Sequence, residues 1–130
     1  RALRDPNRAP RVTAVLGAGN VSGIPALDVL SALYGEASAA IVKLNPVNAR
    51  IAEALEQAFA PLIALDLVRI TTGGADVGQA LVHHPLVDAV HITGSKTTHD
   101  AILFGTGDDA ARRRAAGERL VDKPFTSELG

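Results

Sequence analysis

Four short runs of β-branched and aliphatic residues, each closed by a break and followed by a helical pattern, limit the fold of this chain more than any other feature. The runs are "RVTAVLG" (Arg11 to Gly17), "AAIVKL" (Ala39 to Leu44), "DLVRITTGG" (Asp66 to Gly74) and "DAVHITGS" (Asp88 to Ser95). They are nearly continuous in apolar character, whereas a strand with one wet face alternates. Such strands are buried on both faces, and strands separated by helices are joined by crossovers that leave them parallel. The fold class expected is α/β, a parallel sheet with helices on both faces.

The intervening segments supply those helices. "IPALDVLSALYGE" places Leu27, Leu30, Leu33 and Tyr34 on one helical face. After Pro46, a residue suited to a helix start, Val47, Ile51, Leu55 and Phe59 recur at intervals of four. Asp76 is placed to cap a short helix, "VGQALVHH", which Pro85 terminates. "KTTHDAILFG" reads as a fourth helix and "KPFTSEL" as a fifth strand. Between them, Thr106 to Asp122 breaks the rhythm. Its "DDAARRRAAGERL" reads as a solvated surface helix, with an Arg cluster for a phosphate ligand as the alternative. Residues 1–10 read as an N-terminal loop and residues 11–130 as one domain.

Composition narrows the function classes. At 130 residues the chain can bury a single core, and with 47% hydrophobic but only 3% aromatic residues that core is made of small aliphatics. A formal net charge of −1 offers no basic face to nucleic acid or an anionic membrane. The absence of cysteine excludes disulfides, thiolate metal sites and a thiol nucleophile within these residues. No apolar run reaches membrane-spanning length and "RALRDPNRAP" is unlike a signal peptide, so the expected compartment is the cytoplasm.

Taken singly, the chemistry-bearing residues say little. "GAGNVSG" has Gly17, Gly19 and Gly23, one residue too long for the G-x-G-x-x-G turn, and "GGADVG" also misses that spacing. His83, His84, His91 and His99 lack a carboxylate at ligand spacing and read as helix-end and surface residues, so no metal is expected. Ser95 reads as a turn or helix N-cap, Glu128 as a strand-end carboxylate and Lys43 as a solvated strand-end cation.

Their order says more. "GGADVGQALVHHPLVDAVHITGS" (Gly73 to Ser95) resembles the coenzyme-binding segment of the aldehyde dehydrogenase superfamily, where a glycine turn, a short helix, His-Pro, Val-Asp and Thr-Gly-Ser follow one another. "VKLNP" resembles the Val-Lys segment at the end of the family's second strand. Asn20, 23 positions before Lys43, matches its active-site asparagine, and "KPFTSELG" its Glu-Leu-Gly-Gly segment. The likeness covers about Val12 to Gly130.

This resemblance implies a Rossmann-like sheet, incomplete at its C-terminal end, in a chain that stops before the family's catalytic cysteine and is inactive alone. The parent would be an NAD(P)-dependent enzyme oxidising an aldehyde to an acid through a cysteine thioester, and a homo-oligomer. Asn20 would be the oxyanion donor and Glu128 the general base, best served by a pKa raised by burial. Lys43 would bind the adenosine ribose, Gly94 and Ser95 the pyrophosphate, and Gly74 and Gly78 the adenine side.

Three departures stand out. Gly19 replaces a common Trp, Pro46 replaces a Glu that grips the ribose hydroxyls, and residues 106–122 form an insertion. Pro46 neither accepts from those hydroxyls nor repels a 2′-phosphate, so NADP is expected to be accepted at least comparably to NAD. The alternatives are a CoA-acylating relative or acyl-CoA reductase, and a non-catalytic nucleotide-binding scaffold.

Overall fold

The computed structural model describes residues 7 and 9–130. Of the expected N-terminal loop, residues 1–6 and 8 therefore lie outside the described residues. Five strands form one sheet: β1 (Val12–Leu16), β2 (Ala39–Leu44), β3 (Val68–Thr72), β4 (Ala89–Gly94) and β5 (Phe125–Leu129). All pairs are parallel, in the order β3-β2-β1-β4-β5. The chain thus builds outward from β1 to β3, crosses back, and continues through β4 to β5. The strand order reverses between β1 and β4, the position at which open α/β sheets form a ligand crevice at their carboxyl edge.

Side chains alternate between two cores. On one face Ala14, Leu16, Val90 and Ile92 pack under α4 (Ala75–His83) and α5 (Lys96–Phe104), through Val82, Ile102 and Leu103. On the other face Val15, Val42, Leu44 and Val68 pack under α1 (Ile24–Leu30) and the segment of α2 (Ala52–Ala58) and α3 (Ala60–Ala64), through Val29, Ala32 and Phe59. This second layer covers β1 to β3. On the same face β4 turns His91 and Thr93 toward α1, where both meet Asp28. Thr126 and Glu128 are their register partners on β5, so they share that face.

Three sequence expectations fail here, each for a local reason. The apolar face expected of α1 is mostly turned outward: Leu27 and Tyr34 are 64% and 62% exposed, and only Leu33 packs on the core. A Cβ on Gly17 would lie 3.0 Å from Pro25 Cγ, so α1 starts pressed against the end of β1. From that fixed point Pro25, Asp28, Val29 and Ala32 face inward, and one π-helical turn (Ser31–Gly35) follows. The stripe from Val47 to Phe59 loses its first member because Pro46–Ile51 is a 3-10 helix with three residues per turn, which leaves Val47 exposed. Asp76 lies within the first turn of α4 rather than capping it; Gly74 is the cap position, with no side-chain bond.

The Arg-rich segment forms α6 (Asp108–Ala116), largely exposed as expected, but its arginines are engaged. Arg112 pairs with Glu118, Arg113 donates to the Phe104 carbonyl, and Arg114 pairs with Asp100 across to α5. Gly117 ends the helix with φ +68°, a left-handed conformation that suits glycine.

Candidate functional site

A cleft of about 690 Å³ opens at the carboxyl edge of the sheet, between the turns that follow β1 and β4. Asn20, Lys43, Gly78, Gly94, Ser95 and Glu128 all line it. Gly74 does not line it, but its carbonyl accepts a hydrogen bond from Lys43 Nζ at 3.2 Å. Residues spread over more than a hundred positions of sequence are thereby brought to one place.

Each is held by its element. The β1–α1 turn that carries Asn20 is tied down at both ends. Gly17 N donates to the Lys43 carbonyl at 3.0 Å. Asn48, 2% exposed, donates from Nδ2 to the Ala18 carbonyl at 2.8 Å and accepts from Ser22 Oγ at 3.3 Å. Asn48 thus frames the loop in which Asn20 is exposed. Sequence reasoning missed it; the only signal was a second Asn shortly after "LNP".

Lys43 is the penultimate residue of β2 and is 8% exposed, not solvated. Burial pushes its ammonium below the ordinary lysine range, and the nearby Asp76 charge opposes that shift. A buried ammonium with one backbone partner keeps two N–H groups for a polar ligand. Gly78 leaves the floor open beside it: the nearest atom to a Cβ there would be Lys43 Cδ, at 3.9 Å. At the opposite wall Ser95 caps α5, its Oγ accepting from Thr98 N at 3.1 Å. The cleft therefore reaches the start of α5, where Ser95 and Thr98 line it, and a helix N-terminus favours phosphate.

Glu128 stands on the edge strand β5 and is exposed rather than buried. It also lines a second cleft, of about 240 Å³, on the α1 face. There Asp28 Oδ2 accepts from Thr93 Oγ1 at 2.9 Å, and Asp28 Oδ1 lies 3.6 Å from His91 Nε2. Burial is the main cause that pushes the Asp28 carboxyl above its ordinary range. Glu128 adds to the rise, while Thr93 and His91 oppose it. His91 and His99 are accordingly not the surface residues expected. His91 is held by Thr126 at 2.8 Å, and His99 sits beside Asp100 with its ring edge against Phe125. Pro46 does not line the main cleft; its neighbour Asn45 does.

Buried lysine, open glycines, a capped helix N-terminus and a cleft of this size fit a dinucleotide. Known proteins resemble the chain in sequence and in fold. The aldehyde dehydrogenase family model matches residues 42–116. The aldehyde dehydrogenase tropH of Talaromyces stipitatus is 45% identical over 58 residues, which is 45% of this chain and 10% of that protein. The chain therefore spans only about a tenth of the length of this curated relative. Proline utilization A from Corynebacterium freiburgense shares the fold at a TM-score of 0.67 and 26% identity, over 95% of this chain and 12% of that one. An NAD-dependent aldehyde dehydrogenase from Sinorhizobium meliloti does so at 0.64 and 22%, over 92% and 22%; at that identity the likeness is one of fold. With the family match running through β2, Lys43, α4, the Thr-Gly-Ser turn and α6, more than half of its residues, this chain belongs to the aldehyde dehydrogenase family.

Proposed function

We propose that the chain is the coenzyme-binding portion of an NAD(P)-dependent aldehyde dehydrogenase that oxidises an aldehyde to a carboxylic acid through a cysteine thioester. The observation that carries this reading is convergence. Six residues matched to separate motifs of the sequence line one cleft, at the point where the strand order reverses. The chain contains no cysteine, so the thiol in this reading belongs to other residues of the parent enzyme. The nicotinamide coenzyme, when bound, supplies the hydride acceptor.

The chain's own groups do the rest. Lys43 offers its free N–H groups to the ribose hydroxyls. The N-terminal N–H groups of α5 and the Ser95 hydroxyl receive the pyrophosphate, where the helix dipole favours negative charge. The Asn20 side-chain amide, exposed in the cleft, donates to the oxyanion that develops when the aldehyde is attacked. A donor placed for that charge is worth roughly 3 kcal/mol in the transition state. Glu128 takes the proton from the thiol or from the hydrolytic water.

Glu128→Gln in the full-length enzyme tests the assignment. Turnover should fall about 10²-fold or more, because the amide takes up no proton, while coenzyme affinity stays nearly unchanged. Wild-type turnover across neutral pH would return Glu128 to an ordinary strand-end residue and sink the reading.

A further inference from the structure

On the reading that the adenosine ribose lies at Lys43, we propose that Asp76 is the residue that makes this chain prefer NAD over NADP. The resemblance points the other way, because Pro46 stands where it implies a ribose-gripping carboxylate. The structure supplies a carboxylate from a different element. Gly74 is flanked on two sides: its carbonyl accepts from Lys43 Nζ at 3.2 Å, and Asp76 Oδ1 lies 3.1 Å from the position a Cβ on Gly74 would occupy. A cation on β2 and a carboxylate in the first turn of α4 thus flank one glycine; neither Gly74 nor Asp76 lines the cleft, but Lys43 does, as does Ala75 between the two. The Asp76 charge also supports the buried Lys43 ammonium.

Chemistry then decides between the two coenzymes. A ribose 2′-hydroxyl can donate to a carboxylate. A 2′-phosphate donates nothing and carries roughly −1.5 to −2 charge near neutral pH, as phosphate monoesters do. A phosphate held at Lys43 would feel the Asp76 carboxylate, whose charge already acts on the Lys43 ammonium. It meets a cation already opposed by a neighbouring anion. Asn45, the cleft-lining residue beside Pro46, cannot substitute, because its Oδ1 accepts from Val47 N at 3.1 Å and its amide is uncharged. Negative selection by a like charge is the ordinary means of excluding the phosphorylated ligand.

Calorimetric titration of the full chain with NAD and with NADP, at low and at physiological ionic strength, provides the test. NAD should bind roughly tenfold more tightly at low salt, and the gap should narrow as salt is added, because Asp76 is exposed. Asp76→Asn should bring NADP to within about threefold of NAD, chiefly by raising NADP affinity. Equal affinities in the wild type, or an unchanged ratio in the variant, would overturn the proposal. If the variant does not fold, the salt dependence of the wild-type ratio decides: a gap that does not narrow refutes an electrostatic origin. Binding of neither coenzyme would refute the coenzyme reading itself, a result distinct from equal binding of both.

Discussion

Asp28 on α1 and Asp100 on α5 are carboxylates on opposite sides of one sheet, 9% and 7% exposed. Asp100 is surrounded by donors and cations. Lys96 Nζ lies at 2.8 Å, His99 Nδ1 at 3.0 Å and Arg114 Nη2 at 3.2 Å. The hydrogen bond from Lys96, followed by that from His99 and the Arg114 charge, holds its carboxyl below the ordinary range. Asp28 has one hydroxyl donor, an imidazole at 3.6 Å and the repulsion of Glu128, and burial pushes its carboxyl up. The same side chain at similar solvent exposure is therefore favourable to the fold on one face and, where desolvation outweighs its partners, costly on the other. What decides is the company it keeps: α5 and α6 form a closed, ion-paired surface, whereas α1 meets β4 and β5 across an open, polar cleft.

The largest effects should come from the apolar layers, where the two faces are alike. Phe59→Ala under the α2–α3 segment should cost about 3–5 kcal/mol, and Ile102→Ala under α5 about 2–5 kcal/mol, by denaturant melts. A cost below about 1 kcal/mol at Phe59 would mean that the second face is not a core.

Intermediate effects should separate the aspartates by sign. The lowered folded pKa of Asp100 gives stability that is present above its unfolded value and lost as pH falls through the folded value. Asp100→Asn should therefore melt below the wild type at pH 7, with the difference closing in acid. The raised folded pKa of Asp28 works in reverse: its contribution is greatest below the unfolded value and declines as pH rises through the folded value. Asp28→Asn should melt above the wild type at pH 7, with little difference near pH 3. Shifts of the same sign at pH 7 would erase the contrast. The smallest effect should be that of Leu27→Ser, within about 0.5 kcal/mol, because the side chain faces outward.

The same contrast explains what could be read from the sequence. β1, β2 and β4 were legible because burial on both faces leaves a continuous apolar run; β3 and β5, at the two edges and more exposed, also fall where they were expected. The helices over β4 were legible as well: α5 is capped at Ser95 and Gly105 and α4 ends at His84 before Pro85, although α4 starts earlier than the expected cap at Asp76. The phase of α1 was not. Counting large apolar residues selects Leu27, Leu30 and Tyr34, but a helix started at Pro25 against Gly17 turns its small residues inward. The 3-10 turn at Pro46 hides Val47 from a four-residue count in the same way. In the site, order along the chain identified residues that line one cleft, yet it missed Asn48, Asp28 and the Asp76–Lys43 pair. Their roles come from interactions between residues 26 to 100 positions apart, which no local spacing encodes.

The place of β1 has a consequence for how the molecule is made. It lies at the centre of the sheet, and the strand on its far side, β4, is tied to it by Val12 N donating to Asp88 Oδ2, 76 residues later. At synthesis rates of about 5–20 residues per second, one edge of β1 waits roughly 4–15 s for its partner after it is made. An apolar strand with an unpaired edge is a template for association with other chains. The β1 edge that faces this cleft thus waits longer for its partner than the edge taken by β2, and chaperone dependence during synthesis should centre on Val12–Leu16.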